Sequence, residues 1–284
     1  MNILLTGCNG QLGTEMQLLA KNDNTNRYFF TDVQQLDITD RQQLDSYVAD
    51  NNINFIVNCA AYTNVDKAED DEATALLINA TATENLGIVA HAHNAQIIHV
   101  STDYVFNGTA CIPYRETDCT GPNSAYGRTK LKGENLLRNA APHAIIIRTA
   151  WLYSEYGNNF LKTMLRLGRE RELLNVVYDQ VGSPTYALDL AAAIMAIIKA
   201  EKIVPGIYHF TNEGVCSWYD FTNEIFRLAG INCQLNAIRS EEYPSKVPRP
   251  HYSVLDKKKI KTVYNISIPH WTNALDRCLR NMQQ

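Results

Sequence analysis

The 284-residue sequence predicts an α/β protein, a doubly wound parallel sheet with a smaller C-terminal α/β lobe. Three observations carry that expectation. Short apolar runs alternate with helical patterns through the first half of the chain. Its central runs are continuously apolar rather than alternating, as strands covered on both faces must be. A glycine-spaced turn joins the first apolar run to the first helical pattern.

Taken in order, Asn2–Thr6 is a short strand, followed by a helix with Leu12, Met16, Leu19 and Ala20 on one face. Arg27–Asp32 is a second strand ending in an acid. Thr39, with Gln42 three residues on, predicts a capping box opening a helix through Leu44 and Val48. Phe55–Asn58 is the third strand, and a long helical region carries Ala68, Leu76, Leu86 and Val89. Gln96–Ser101 and Ala144–Thr149 are the fourth and fifth strands. Beyond residue 150 the rhythm loosens. Helices are expected around Phe160–Leu167 and Leu190–Ile198, and strands at Leu174–Tyr178 and Gly206–Phe210. Ser217 caps a helix that stops at Gly230, and Pro244, Pro248 and Pro250 mark a loop before the last elements. Residues 1–150 are expected to bind a dinucleotide and 151–284 to form a substrate lobe partly interleaved with the sheet.

Composition narrows the classes. Hydrophobic residues make up 45% and charged residues 20%, values of a soluble globular protein. Net charge is −4 without a long basic run, which argues against extended nucleic-acid binding. No apolar run reaches the roughly 20 residues of a membrane helix, and no charged leader precedes the first strand. Seven cysteines without a Cys-x-x-Cys pair point to free thiols in a reducing compartment, so a cytoplasmic monomer or homodimer is expected.

The turn is Thr6-Gly7-x-x-Gly10-x-x-Gly13, between strand and helix. Glycine permits the tight turn and lets backbone approach a pyrophosphate, and the helix N-terminus offers unpaired N–H groups to it. That is a Rossmann-like dinucleotide site. Asp32 stands near the offset of the acid that binds the adenosine ribose, which suits the free 2′-hydroxyl of NADH over the 2′-phosphate of NADPH. Asp37 and Ile38 are candidates for the adenine.

Tyr126 and Lys130, four apart on a predicted helix, share one face. An ammonium nearby lowers a phenol's pKa and makes it a usable proton donor to a carbonyl. Ser101 and Thr102 leave the fourth strand at its carboxyl end, where open parallel sheets bind ligands. A hydroxyl, a phenol and an ammonium converging beside a nicotinamide form the set that carbonyl reduction needs.

Together with Asn58-x-Ala60-Ala61, these motifs resemble the extended short-chain dehydrogenase/reductase superfamily. Within it the chain is similar, nearly end to end, to the dTDP-4-dehydrorhamnose reductase family. The stretches Ala60–Glu69, Ser101–Gly108, Ser124–Lys130, Arg148–Tyr153, Gly157–Phe160, Asp179–Thr185 and the Arg249-Pro250 region carry that likeness. The resemblance implies NADPH- or NADH-dependent reduction of the C4 ketone of dTDP-4-dehydro-L-rhamnose. By the same likeness Tyr126 protonates the C4 oxygen, Thr102 hydrogen-bonds it and Lys130 grips the nicotinamide ribose. Gly10, Gln11, Leu12, Asp32, Asp37 and Ile38 would line the cofactor, with Ala61, Tyr62 and Thr63. Thr63, Val65, Asp103 and Trp151 would contact the sugar nucleotide, and Arg249 offers a cation to its diphosphate.

Some members of that family are described as magnesium-linked dimers. Glu15 is the candidate ligand here, but Leu188 stands where a second carboxylate is sought, with Asp189 adjacent. No resident metal is therefore expected. Two alternatives share the fold: a nucleotide-sugar epimerase or dehydratase, which recycles its hydride, and a non-catalytic NAD(P)-binding regulatory subunit. The lone Asp103 beside Thr102, where dehydratases carry Asp-Glu, and the presence of both Tyr126 and Lys130 argue against them.

Overall fold

A computed structural model describes residues 1–243 and 245–283, so Pro244 lies outside the described residues. The first half runs β1 (Asn2–Thr6), α1 (Gln11–Ala20), β2 (Arg27–Thr31), α2 (Arg41–Asp50), β3 (Phe55–Asn58), α3 (Val65–Asp70), α4 (Glu72–Leu76), α5 (Ala82–Ala92), β4 (Gln96–Thr102), α6 (Ala125–Ala140) and β5 (Ile145–Thr149). The second half runs β6 (Leu152–Tyr153), α7 (Phe160–Glu170), β7 (Leu173–Val177), β8 (Val181–Gly182), β9 (Thr185–Tyr186), α8 (Ala187–Ile198), β10 (Gly206–His209), β11 (Cys216–Ser217), α9 (Trp218–Ala229), β12 (Gln234–Ile238), α10 (Lys258–Tyr264) and α11 (Trp271–Asn281).

Six strands form one parallel sheet in the order β10-β5-β4-β3-β1-β2. The order reverses at β1, with β2 on one side and β3 on the other. A crevice opens there at the strands' carboxyl ends. Neighbouring residues of each strand explain the continuous apolar runs. Ile3, Leu5, Val57, Ile98 and Ile147 pack with Met16 of α1 and Leu190 and Ile194 of α8. Leu4, Ile56, Ile97 and Ile146 pack on the other side with Leu44 of α2 and Leu86 and Val89 of α5. Each such side chain contributes about 1.5–3 kcal/mol by leaving water.

A further core lies in the second half of the chain, in which Tyr153, Leu161, Phe221, Ile225, Trp271 and Leu275 meet. β7 and β12 pair in parallel beside it. The expected cap at Ser217 forms a capping box with Asp220, and Gly230 ends α9 in the left-handed region at φ 63°.

Two local expectations need correction. Asp40, not Thr39, caps α2, accepting from Gln42 N–H and Gln43 N–H at 3.0 Å each. The Thr39 hydroxyl is drawn instead to Asp37 Oδ1 at 2.7 Å. The long helical region is also broken. Asp71 leaves helical geometry at φ −136° to cap α4, and Leu77–Thr81 forms a π-helical turn before α5.

Candidate active site

The glycine turn is built by close approach. Gly7 has φ +65°, and a Cβ there would lie 2.6 Å from Ala60 N. Only glycine lets the turn after β1 touch the one after β3. α1 then starts from Gly10 with no side-chain cap, leaving its leading N–H groups for an anion. Gln11 and the buried Leu12 and Gly13 follow in its first turn. Asp32 comes directly after β2, and its carboxylate accepts from Asn9 N–H at 3.1 Å and Val33 N–H at 2.8 Å. Asp37 is held by Thr39 N–H at 2.9 Å, and Ile38 is buried beside it.

Ala61, Tyr62 and Thr63 leave β3 towards α3, where Val65 is half-buried. A residue that sequence reasoning missed fixes this segment. Asn79, in the π-helical turn, accepts from Tyr62 N–H at 2.9 Å and donates to Tyr62 C=O at 3.1 Å. Its Nδ2 also lies 3.2 Å from the Thr129 hydroxyl on α6. An asparagine inside an apolar helical stretch is the one sequence signal of this clamp.

α6 carries the reacting groups to the end of β4. Ser124 caps it, accepting from Gly127 N–H at 3.1 Å. A Cβ at Gly127 would lie 2.3 Å from Tyr104 O, so the helix start rests directly on the chain leaving β4. Tyr126 is thereby held half-buried, its ring 5.5 Å from that of Tyr104 at 72°. Thr102 closes β4; its hydroxyl donates to Asp103 Oδ1 at 3.0 Å and accepts from Tyr104 N–H at 3.2 Å. Lys130, one turn beyond Tyr126 and 1% exposed, donates to Val100 C=O at 2.8 Å, and its Nζ lies 3.2 Å from His99 Nε2.

Burial pushes the Tyr126 phenol above its ordinary range, while the Thr102 hydroxyl acts the other way. The lowering expected from Lys130 is not what sets the phenol: burial dominates, and the Lys130 nitrogen is engaged by Val100 and His99. The phenol keeps its proton, as a donor should. Burial also pushes Lys130 down to about 8, against the opposing charge of Glu134.

Asp103 is raised to about 6, mainly by burial, with Ser253 and Thr102 hydrogen bonds opposing. A raised carboxyl contributes stability that is complete below its unfolded value, 3.8, and lost as pH rises through about 6. Denaturant titrations from pH 4 to 7 should show Asp103→Asn without this loss, on the order of 2–3 kcal/mol for a shift near two units.

On the substrate side, Trp151 is more than strand-end core. It adopts φ +50°, and its ring stacks on Trp218 with centroids 3.5 Å apart and planes at 9°. Arg249 Nη2 donates to Asp66 Oδ2 at 2.5 Å. It lines a cavity of about 130 Å³ with Tyr104, Asn107, Ser124 and Pro250. Glu15 is buried, and its carboxyl is pushed up to about 8 by burial first and by Glu155 and Asp189 after it. Asp189 is already bound by Arg277 Nη2 at 2.5 Å and Asn212 Nδ2 at 2.7 Å. Among the described residues no group of three or more His, Cys, Asp or Glu side chains is disposed to hold a metal. Leu188 supplies no second carboxylate and Asp189 is taken up by Arg277 and Asn212, so this donor set does not suit magnesium.

A glycine turn at the reversal of a parallel sheet, with Tyr126 and Lys130 one helical turn apart beside a Thr102 strand end, defines a short-chain dehydrogenase/reductase. A family model described as RmlD substrate binding domain matches residues 1–284, and the chain belongs to that family. A dTDP-4-dehydrorhamnose reductase of Aggregatibacter actinomycetemcomitans is 42% identical over 285 residues, covering 96% of each chain. Among solved structures, a dTDP-4-dehydrorhamnose reductase of Clostridium acetobutylicum superposes with a TM-score of 0.96 at 43% identity over 100% of both chains. A dTDP-4-dehydrorhamnose reductase of Bacillus anthracis, solved in complex with NADP, has a TM-score of 0.94 at 36% identity over 99% of both chains.

Proposed function

We propose that the chain reduces the C4 ketone of dTDP-4-dehydro-L-rhamnose with NADPH or NADH, giving dTDP-L-rhamnose for surface polysaccharide. The observation that carries this reading is the placing of Tyr126 against the Thr102 end of β4, in a chain of that reductase family. We assign residues 1–150 to cofactor binding and 151–284 to the substrate, in the cytoplasm, as a monomer or homodimer. Free cysteines support the compartment.

The bound reduced nicotinamide supplies the hydride. Tyr126 gives its phenolic proton to the oxygen that becomes negative at C4. Thr102, whose hydroxyl rests on Asp103, turns to donate to the same oxygen. Lys130 would hold the nicotinamide ribose. Trp151 and its stacked partner Trp218 offer an apolar wall to the sugar nucleotide, and Thr63, Val65 and Asp103 are assigned to the same substrate. Arg249 exchanges Asp66 for the diphosphate, a charge-assisted bond for a charge-assisted bond.

Asp32 is assigned to the adenosine ribose. Asp32→Ser is expected to raise KM for NADH by roughly 10- to 150-fold, the loss of a charged hydrogen bond of about 1.5–3 kcal/mol. KM for NADPH should change little, as parallel initial-rate measurements would reveal.

The test is to follow the reduced-nicotinamide absorbance band with purified protein and dTDP-4-dehydro-L-rhamnose. One cofactor oxidised per sugar supports a reductase. Conversion of sugar without net oxidation would favour an epimerase or dehydratase, and cofactor binding without conversion a regulatory subunit.

A further inference from the structure

His99 lies on β4 under the reacting groups, fully buried, and has no place in the steps above. Its ring bridges two side chains. Nδ1 is 2.9 Å from Asn58 Nδ2, and Nε2 is 3.2 Å from Lys130 Nζ. One fixed donor settles the direction of every bond in this row. Ala60 N–H can only donate, and it points at Asn58 Oδ1 at 3.0 Å. The Thr6 hydroxyl donates to the same oxygen at 2.7 Å. Asn58 therefore turns its NH₂ group to His99, and an NH₂ group can only donate.

His99 Nδ1 must then accept. The ring is neutral, carries its proton on Nε2, and aims that proton at Lys130 Nζ. An ammonium has three N–H bonds and no lone pair, so it would meet the Nε2 proton head-on. A neutral amine presents its lone pair there and still donates to Val100 C=O. The charged group facing Lys130 pulls the opposite way: Glu134, one turn along α6, favours the ammonium, while the Cys59 thiol after β3, pushed up to about 12 by burial, stays uncharged.

We propose that His99 is a positioning residue for the reduction, holding Lys130 in place as a neutral, hydrogen-bond-accepting amine until the nucleotide cofactor engages it. His99 does not relay protons, because Asn58 blocks Nδ1 from carrying one. Its contribution is the polarity of the row Ala60–Asn58–His99–Lys130. Lys130 then takes up a proton from water when the ribose hydroxyls require it to donate. The link to the cofactor rests on the reductase reading, whereas the state of Lys130 in the chain alone does not.

The experiment is therefore done without cofactor or substrate, on the full chain. Lysine ¹³Cε signals are followed against pH, with Lys130 assigned by its loss in Lys130→Arg. Histidine ¹⁵N shifts report the tautomer of His99. The expected results are an unprotonated Nδ1, a protonated Nε2, and a Lys130 midpoint below pH 7, under the value of about 8 that burial sets and well apart from the surface lysines. His99→Leu keeps the site apolar but removes the opposing N–H, and the midpoint should rise by roughly one pH unit. His99→Gln, with an amide oxygen for Asn58 and an NH₂ for Lys130, should restore the wild-type midpoint. A protonated Nδ1 would overturn the proposal even if a variant fails to fold. So would a Lys130 midpoint among the surface lysines, or one that His99→Leu leaves unmoved.

Discussion

Tyr126→Phe is expected to lower kcat by about 10²–10⁴-fold, the usual contribution of a positioned general acid. KM for either substrate should stay within a few-fold. The ring contributes the packing, edge-on against Tyr104 at 5.5 Å, and phenylalanine keeps it. What disappears is the one proton that burial keeps on the phenol across the physiological range. A loss confined to kcat marks an interaction made in the transition state; a loss confined to KM would return Tyr126 to a binding role. Steady-state kinetics with both substrates varied would distinguish the two.

The second large effect lies behind the site. Glu134 and Arg148 are 1% and 3% exposed at their side chains and meet at 2.6 Å. Glu134 also accepts from the Ser101 hydroxyl at 2.6 Å and from Arg148 Nε at 2.9 Å. This knot ties α6, which carries Tyr126 and Lys130, to β4 and β5. Glu134→Ala leaves the Arg148 guanidinium buried without its counter-charge and should cost about 3–5 kcal/mol of stability. Denaturant unfolding measures it directly. The double change Glu134→Leu with Arg148→Met should recover most of the loss, since an apolar pair of similar volume avoids both desolvation costs.

Stability and chemistry are linked here through one helix. If Glu134→Ala still folds, kcat should fall as well, because α6, which aims Tyr126 at the Thr102 end of β4, loses its buried tie to β4 and β5. The Glu134 charge also favours the protonated form of Lys130, so its removal lowers that lysine's hold on a proton.

Much of this was legible in the sequence because the signals are local. A strand–glycine–helix junction announces itself within a dozen residues, and Tyr126 and Lys130 share a face by helical spacing alone. The central strands read clearly, since each must be apolar on both faces of a covered parallel sheet, while β2 at the edge keeps Arg27 and Phe30 exposed. Local competition between near-equal caps was harder, and Asp40 displaced Thr39 because the Thr39 hydroxyl had Asp37 to bond.

Features that depend on distant partners were not legible. The Asn79 clamp on Tyr62, the stacking of Trp151 on Trp218 and the pairing of Arg249 with Asp66 each join residues far apart in the chain. Neither propensity nor spacing encodes such meetings. The Glu134–Arg148 pair is of the same kind: each residue alone reads as an ordinary surface charge. His99 read as one more strand residue until its two ring nitrogens were placed between Asn58 and Lys130.

The central claim is that hydride leaves the cofactor and ends on the sugar at C4. Its most direct test is to incubate the protein with NADPH deuterated at the transferring position and dTDP-4-dehydro-L-rhamnose, then locate the label by NMR. The account predicts one deuterium at C4 of the product for each cofactor oxidised. A product without deuterium, or sugar converted while the cofactor stays reduced, would contradict it.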